Sequence, residues 1–288
     1  MESNSEIKTR GTLPGYKIFV FFIRYLGLQA AYSLLLFVVS YYVFFAIKER
    51  NEIFRFYKKM LGFSCFKSIV FTCKNFYIFG QTIIDKVVMQ IIGNEKYSFE
   101  FDGEHYLQEI TDAGKGGIVI SAHVGNFEIA GQFLSRLGQT LNIVTAAHGI
   151  PEIKKYLETI SKNKPTNYLF VKEDMSHVFL INKAFKNNEL ICFTGDRFFD
   201  SKKAISSKLF KEEALFPVGP YKLASHFKVP YSFVFAMKES NNHYHFYATK
   251  PKISDSAEDI VFEYAAELEK MIEKYPEQWF NYYDFWKK

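Results

Sequence analysis

His123 and Glu128 are separated by four residues in the segment from Ile118 to Ala130, and their types suit acid-base chemistry. Histidine is the side chain whose ordinary pKa lies nearest neutrality, so it can accept a proton from a substrate hydroxyl. A carboxylate on one ring nitrogen would set the tautomer and leave the other nitrogen as the proton acceptor. The residues alone allow an equally good alternative, a histidine at a strand end followed by an acid in a first helical turn, where the helix dipole favours negative charge.

Three further segments follow that block along the chain: Gly195-Asp196-Arg197, Phe216-Pro217-Val218-Gly219-Pro220 and Pro276-Glu277-Gln278-Trp279-Phe280. Together the four segments resemble the motifs of the bacterial lipid A biosynthesis late acyltransferase family. That family is a branch of the lysophospholipid acyltransferase-like superfamily, whose members carry H-x4-D or H-x4-E. The resemblance extends from about residue 16 to the end of the chain, and four motifs in the expected order are far more specific than one.

The resemblance implies a membrane-bound O-acyltransferase that moves a fatty acyl group from an acyl carrier protein thioester to a hydroxyl of a lipid A precursor or related glycolipid. In that reaction His123 is the general base and Glu128 holds its imidazole. A covalent acyl-enzyme is disfavoured, because the chain has no G-x-S-x-G motif and none of its three cysteines lies beside a histidine. No cofactor is expected.

Gly125, Asn126, Asp196 and Arg197 are the candidate substrate-binding residues. The backbone amides of Gly125 and Asn126 lie where the chain must turn, and they could donate to the oxyanion of a tetrahedral intermediate, although a turn alone would also select these residues. Asp196 and Arg197 follow a strand-like run, so a parallel sheet would bring them to the same edge as His123. Arg197 suits a phosphate or the donor carbonyl oxygen, with a plain surface ion pair as the alternative.

The pattern of apolar runs predicts an α/β fold with a mostly parallel sheet flanked by helices. Helical patterns separate the earlier strand-like runs, and the short Ser240-Asn241-Asn242 link joins the last two into an antiparallel hairpin. The strand-like runs are Ile118 to Ala122, Leu141 to Ala146, Glu189 to Thr194, Val229 to Lys238 and His243 to Thr249. The helical patterns lie around Phe127 to Leu137, Pro151 to Ser161, Met175 to Lys186 and Asp255 to Lys274.

Residues 25–47 carry no charge and form a 23-residue apolar segment. We therefore predict an N-terminal tail over 1–24, a membrane-anchoring helix over 25–47 and an acyltransferase domain over 48–288. The segment is long enough to span a bilayer, but its polar and tyrosine residues leave a helix that lies in the interface as the alternative. The resemblance implies the bacterial inner membrane, with the catalytic domain facing the cytoplasm.

Composition narrows the possible partners. The net charge of +5 is diffuse, and no basic stripe or nucleic-acid motif is present, so nucleic acid is not an expected partner. The histidines lack metal-ligand spacing such as HExxH, and we predict no metal site. Rival functions are an acyltransferase for another lipid, such as an aminolipid or polyene lipid, a non-catalytic acyl-lipid-binding membrane protein and, with the least support, a metal-assisted hydrolase. Acyl chain length and oligomeric state leave no mark in the sequence.

Overall fold

A computed structural model describes residues 12–127, 129, 140–145, 151–160, 167–171, 174, 176–197 and 204–286. Seven strands form one sheet in the order β1-β9-β8-β2-β5-β3-β4, and β6 and β7 form a separate hairpin. The strands are β1 Ser98–Asp102, β2 Gly117–Ser121, β3 Leu141–Thr145, β4 Asn167–Phe170, β5 Leu190–Thr194, β6 Ala204–Leu209, β7 Glu212–Pro217, β8 Tyr231–Ser240 and β9 His243–Ala248.

Five of the six neighbouring strand pairs in the large sheet are parallel, and only β8 and β9 pair antiparallel. Helices flank this sheet, which confirms the predicted fold class. The helices are α1 Leu13–Phe21, a π-helical turn Phe22–Leu26, α2 Leu28–Phe45, α3 Ile47–Lys59, α4 Cys65–Ile91, α5 Glu104–Asp112, α6 Pro151–Ile160, α7 Ser176–Lys186, α8 Val218–Phe227, α9 Ala257–Lys274 and a 3-10 turn Pro276–Gln278.

Strand β2 lies near the middle of the sheet, between β5 and β8. All five of its residues are buried, as expected for a strand of a parallel sheet that is covered on both faces. On one side its isoleucines pack in the main core with α9 and the C-terminal aromatic residues. This central strand therefore provides a rigid support for whatever follows its carboxyl end.

Two segments differ from the prediction. The apolar N-terminal helix α2 begins at Leu28, because Gly27 has φ +86° and interrupts the helix there, and it ends at Phe45. The β6–β7 hairpin forms in a part of the chain where the apolar pattern predicted no strand. Most of the predicted helix from Phe127 to Leu137 lies outside the described residues.

Candidate active site

The parallel pairing of β2 and β5 brings His123 and Asp196 together. Ser121 at the end of β2 is in register with Thr194 at the end of β5, and Gly195 N donates to Ser121 O at 2.8 Å just beyond. Each functional residue follows its strand by two positions. The two side chains therefore meet at the carboxyl edge of the sheet, where α/β proteins form their sites.

The Asp196 carboxylate holds His123 by two hydrogen bonds. His123 Nδ1 lies 2.7 Å from Asp196 Oδ1, and the His123 backbone N–H donates to Oδ2 at 2.9 Å. Because an ionised carboxylate can only accept, Nδ1 carries the proton in this pair, and Nε2 keeps a lone pair. The His123 side chain is 20% exposed whereas Asp196 is 2% exposed, so the imidazole is within reach of a substrate and its partner is not.

Electrostatics favour the neutral imidazole. Burial lowers the pKa of His123 below its usual 6.5, Arg197 adds to that shift, and the Asp196 carboxylate opposes it. Burial would raise the pKa of Asp196, but attraction to His123 and Arg197, with the hydrogen bonds from His123, holds that pKa below its usual value. At neutral pH the pair is therefore an ionised carboxylate beside a neutral imidazole, which is the state that a general base requires.

Glu128, the acid that the sequence analysis assigned to the imidazole, lies outside the described residues, and its role stays a prediction. In the described structure the carboxylate on Nδ1 belongs to Asp196, which was expected to bind substrate. The position of Asp196 after a buried strand indicated the correct sheet edge. Its pairing with His123 depends on β5 lying next to β2, which is a matter of strand order that no local pattern reveals.

The backbone N–H groups of Gly125 and Asn126 donate to carbonyl oxygens within the protein. Gly125 N donates to Gln278 O at 2.9 Å, and Asn126 N donates to Ala236 O at 2.7 Å. Gly125 has φ +61°, and a Cβ at this position would overlap Ala236 O, so glycine is required here. Both amides already have acceptors within the protein, and their expected role as donors to an oxyanion stays a prediction.

The side chain of Asn126 is also turned inward. It is buried, and its Nδ2 donates to Thr82 O at 3.1 Å and to the Tyr244 hydroxyl at 3.2 Å. Asn126 thereby connects the turn after β2 to helix α4 and strand β9. In this structure the residue holds the turn in place instead of facing a substrate.

The C-terminal segment runs beside the active-site turn. Val124 and Trp279 form an antiparallel bridge, and Phe280 N donates to His123 O at 3.0 Å. Helix α4 holds the same segment, since Asn75 Nδ2 donates to Trp279 O at 2.9 Å. The sequence analysis used this segment only as a mark of family resemblance. Gln278 is buried in the structure, and a polar residue beside aromatic ones is the sequence signal that could have indicated its structural role.

Arg197 extends the site toward that segment. Its Nη2 donates to Phe280 O at 2.7 Å, and its guanidinium carbon lies 5.9 Å from the centre of the Tyr283 ring. Its Nε is buried and has no hydrogen-bond partner among the described residues. Arg197 therefore supports the C-terminal segment and still has donor capacity beside Asp196.

One other group of side chains has ligands for a cation among the described residues. Glu100, Glu239 and His245 place one ligand atom each within 4.8 Å of one another. These side chains already have partners, because His245 Nδ1 lies 3.3 Å from Glu239 Oε1 and 2.9 Å from the Tyr247 hydroxyl. We assign no ion to this surface cluster of β1, β8 and β9.

The sequence matches the family model described as bacterial lipid A biosynthesis acyltransferase over residues 17–288. No curated protein matches the chain at a significant level. Among solved structures, it is similar to the 1-acyl-sn-glycerophosphate (LPA) acyltransferase PlsC from Thermotoga maritima, at 15% identity and a TM-score of 0.37, over 85% of this chain and 97% of that chain. At that level of similarity PlsC says nothing further about this chain. The family match covers nearly the whole sequence, and the chain belongs to the bacterial lipid A biosynthesis acyltransferase family.

Proposed function

We propose that the protein transfers a fatty acyl group from an acyl carrier protein thioester to a hydroxyl of a lipid A precursor or related glycolipid. The observation that carries the proposal is the His123–Asp196 pair, which lies at the sheet edge, favours a neutral imidazole and leaves Nε2 as a base. Acyl transfer to a lipid follows from family membership. The identities of the donor, an acyl carrier protein thioester, and of the acceptor, a glycolipid, must be tested by an assay.

The reaction is a direct transfer. His123 Nε2 takes the proton of the acceptor hydroxyl while that oxygen forms a bond to the thioester carbonyl carbon. The resulting imidazolium is stabilised by Asp196, which accepts from Nδ1 at 2.7 Å. The tetrahedral intermediate then collapses, the carbon–sulfur bond breaks, and the imidazolium returns the proton to the leaving thiolate. The products are the acyl ester and the free thiol, and His123 is neutral again.

Arg197 is the group we propose for the oxyanion of that intermediate. The amides of Gly125 and Asn126 both donate within the protein, whereas the Arg197 side chain is half-buried and its charge acts on both His123 and Asp196. A guanidinium stays charged at any relevant pH, so it can stabilise developing negative charge without a change of protonation. Glu128 remains a candidate to assist His123.

We also propose that α2 attaches the protein to the bacterial inner membrane, with the catalytic domain facing the cytoplasm. Among the described residues, α2 is the one helix long and apolar enough to cross a membrane. One face of it is buried on the rest of the chain through Ala31, Tyr32 and Leu35. The opposite face exposes large apolar side chains, and Phe37 is 77% exposed. Such a face suits the acyl region of a bilayer.

Two observations favour a helix that lies in the interface over one that spans the bilayer. The 18 residues of α2 reach about 27 Å, near the lower limit for a helix that spans a hydrocarbon core of about 30 Å. Its Tyr32 hydroxyl lies 3.0 Å from the carbonyl oxygen of Asn241, in the polar turn between β8 and β9. A spanning α2 would carry that turn toward the hydrocarbon, where polar backbone is costly to bury.

Thiol labelling distinguishes the two modes of attachment. A Ser5→Cys variant adds a thiol before α2, and the native, exposed Cys65 lies after it. An interfacial helix predicts that an impermeant reagent labels both thiols from the same side of inverted membrane vesicles. Labelling of the two thiols from opposite sides would show that α2 spans the bilayer.

The test of the function is an acyl-transfer assay with the purified full-length chain in lipid nanodiscs. Acyl carrier protein thioester is compared with the coenzyme A thioester as donor, and a lipid A precursor with an aminolipid as acceptor. We expect acylation of the lipid A precursor by the carrier-protein donor, and a loss of about 10²- to 10⁴-fold in kcat for His123→Ala. The matched control is His226→Ala, at an exposed histidine of α8.

Each outcome of that assay is informative. Transfer by the wild type to an aminolipid alone would keep the enzyme class and replace the acceptor. Full activity of a folded His123→Ala variant would contradict the mechanism. Binding of acyl lipid without any transfer would favour the non-catalytic alternative.

A further inference from the structure

Five polar side chains form a buried cluster between α2, α4 and the sheet. We call it the Asp85 cluster; its members are Tyr32, Asp85, Tyr97, Lys238 and Tyr244. Asp85 is 0% exposed and Lys238 is 6% exposed. Lys238 Nζ lies 2.6 Å from Asp85 Oδ2. The cluster brings an ion pair into the interior, where charges are costly unless they are fully paired.

Asp85 is fully paired. Its Oδ1 accepts from the hydroxyls of Tyr32 and Tyr97, the latter at 2.9 Å, and its Oδ2 accepts from Lys238 and from the Tyr244 hydroxyl. Replacing a buried ion pair with apolar residues is often neutral or stabilising, so stability alone is a weak reason for such a network. Its directional bonds instead define how α2, α4 and β9 are placed relative to one another.

The Asp85 cluster reaches the active-site turn through Tyr244. The Tyr244 hydroxyl donates to Asp85 and accepts from Asn126 Nδ2 at 3.2 Å. Asn126 is three residues after His123 and lies in the same turn. A continuous chain of hydrogen bonds thus runs from Tyr32 on α2 through Asp85 and Tyr244 to Asn126.

A second connection passes through Lys238. Its backbone N–H donates to Gln278 Oε1 at 2.9 Å, and Gln278 Nε2 donates back to Lys238 O at 2.7 Å. The carbonyl oxygen of Gln278 accepts from Gly125 N at 2.9 Å. The residue whose ammonium group pairs with Asp85 is therefore also tied, by its main chain, to the other half of the active-site turn.

Tyr32 is the α2 side chain that joins this network. The hydroxyls of Ser33 and Ser40 donate back to carbonyl oxygens of α2 itself, at 3.0 Å and 2.8 Å. Tyr41 lies on the exposed face of the helix. Among the described side chains of α2, the polar contact with the catalytic sheet region is thus made by Tyr32.

We propose that Tyr32, Asp85 and Tyr244 are positioning residues, through which the docking of the apolar helix α2 sets the active-site turn that carries His123. The proposal rests on the proposed acyl transfer. It predicts that the docking of α2 raises kcat and changes KM little. Without the Tyr32 hydroxyl, α2 no longer contributes to the hydrogen bonds that join Asp85, Tyr244 and Asn126, and the active-site turn is held less rigidly.

The test compares Tyr32→Phe with Tyr41→Phe, which removes the same hydroxyl from the same helix on its exposed face. Both variants are assayed at full length in nanodiscs. We expect Tyr32→Phe to lose about 10-fold in kcat with KM within about 2-fold of wild type, as for an interaction that acts in the transition state. Tyr41→Phe should match the wild type. Equal kcat for both variants, with an active wild type, would overturn the proposal.

A double-mutant cycle with Asn126→Ala separates positioning from general destabilisation. If Tyr32 acts through Asn126, the double variant loses about as much kcat as Asn126→Ala alone, because the path is already broken. Multiplicative losses would mean independent sites and would overturn the proposal. So would failure of Tyr32→Phe to fold where Tyr41→Phe folds. An inactive wild type would refute the proposed function instead, which keeps the two failures distinguishable.

Discussion

Asp196 and Asp85 are both buried aspartates paired with a basic side chain, yet their surroundings differ. In both pairs burial lowers the pKa of the base, His123 or Lys238, and the carboxylate opposes that shift. The His123 side chain is 20% exposed and keeps an imidazole nitrogen for chemistry, whereas the Lys238 side chain is 3% exposed and donates to three acceptors. We therefore expect the same type of pair to be reactive where one partner is partly exposed and structural where both are enclosed.

Asp85→Ala should have the largest effect on stability. The substitution leaves the Lys238 ammonium and three tyrosine hydroxyls buried without their acceptor, and breaking a buried pair in this way costs about 3–5 kcal/mol. Chemical denaturation of the purified protein measures the loss. The control is Asp255→Ala, whose ion pair with Lys228 is exposed and should change the free energy of unfolding little. Equal losses in the free energy of unfolding for the two substitutions would contradict a structural role for the enclosed Asp85 pair.

Asp196→Asn should reverse that pattern, with a large effect on rate and a small one on stability. An asparagine amide donates to His123 Nδ1 and so favours the tautomer with the proton on Nε2, which cannot act as a base. We expect kcat to fall by about 10²-fold or more, with a midpoint of thermal unfolding close to wild type. If Asp196→Asn strongly lowers the stability but leaves the kcat of the folded protein unchanged, Asp196 has a structural role like that of Asp85.

Gly125→Ala tests the turn between the two regions. The substitution forces a Cβ against Ala236 O at a residue with φ +61°, and we expect a loss of about 1–3 kcal/mol together with lower kcat. Gly62→Ala is the matched control, since Gly62 has nearly the same φ of +64° but open space around its Cβ position. If both variants lose the same stability and activity, the close approach to β8 has no special role.

The pH dependence of kcat/KM should show the smallest effect. Because the pKa of His123 lies below its usual 6.5, the activity should fall on the acid side only as pH drops below that value, where the imidazole becomes protonated and loses its role as a base. Asp196 raises the pKa of His123, so its removal should move the acid limb to still lower pH. An acid limb centred above 6.5 would contradict the described environment.

Much of the fold could be predicted from the sequence, because it depends on local patterns. The apolar run of β2 and the turn signal between β8 and β9 each have a local physical cause, and both elements form as predicted. The sheet edge of His123 and Asp196 followed from parallel strands. The identity of the acid on Nδ1 did not, since it depends on β5 being the neighbour of β2.

Long-range contacts account for what sequence reasoning missed. The Asp85–Lys238 pair joins residues 153 positions apart, and Gln278, near the end of the chain, accepts from Gly125 in the middle of it. Neither contact leaves a spacing pattern, because the side chains involved are isolated polar residues within apolar segments. The local signal for the Asp85–Lys238 pair is a single aspartate in the long, largely apolar helix α4, and that signal does not indicate which residue pairs with it.

The most direct test of the central assignment is histidine-selective 15N NMR of the full-length protein in nanodiscs, with His123→Ala to identify the resonances. The structure predicts that at pH 7 the His123 imidazole is neutral, with its proton on Nδ1 and a lone pair on Nε2, and that it titrates below pH 6.5. A ring protonated on Nε2, or an imidazolium at pH 7, would contradict the account.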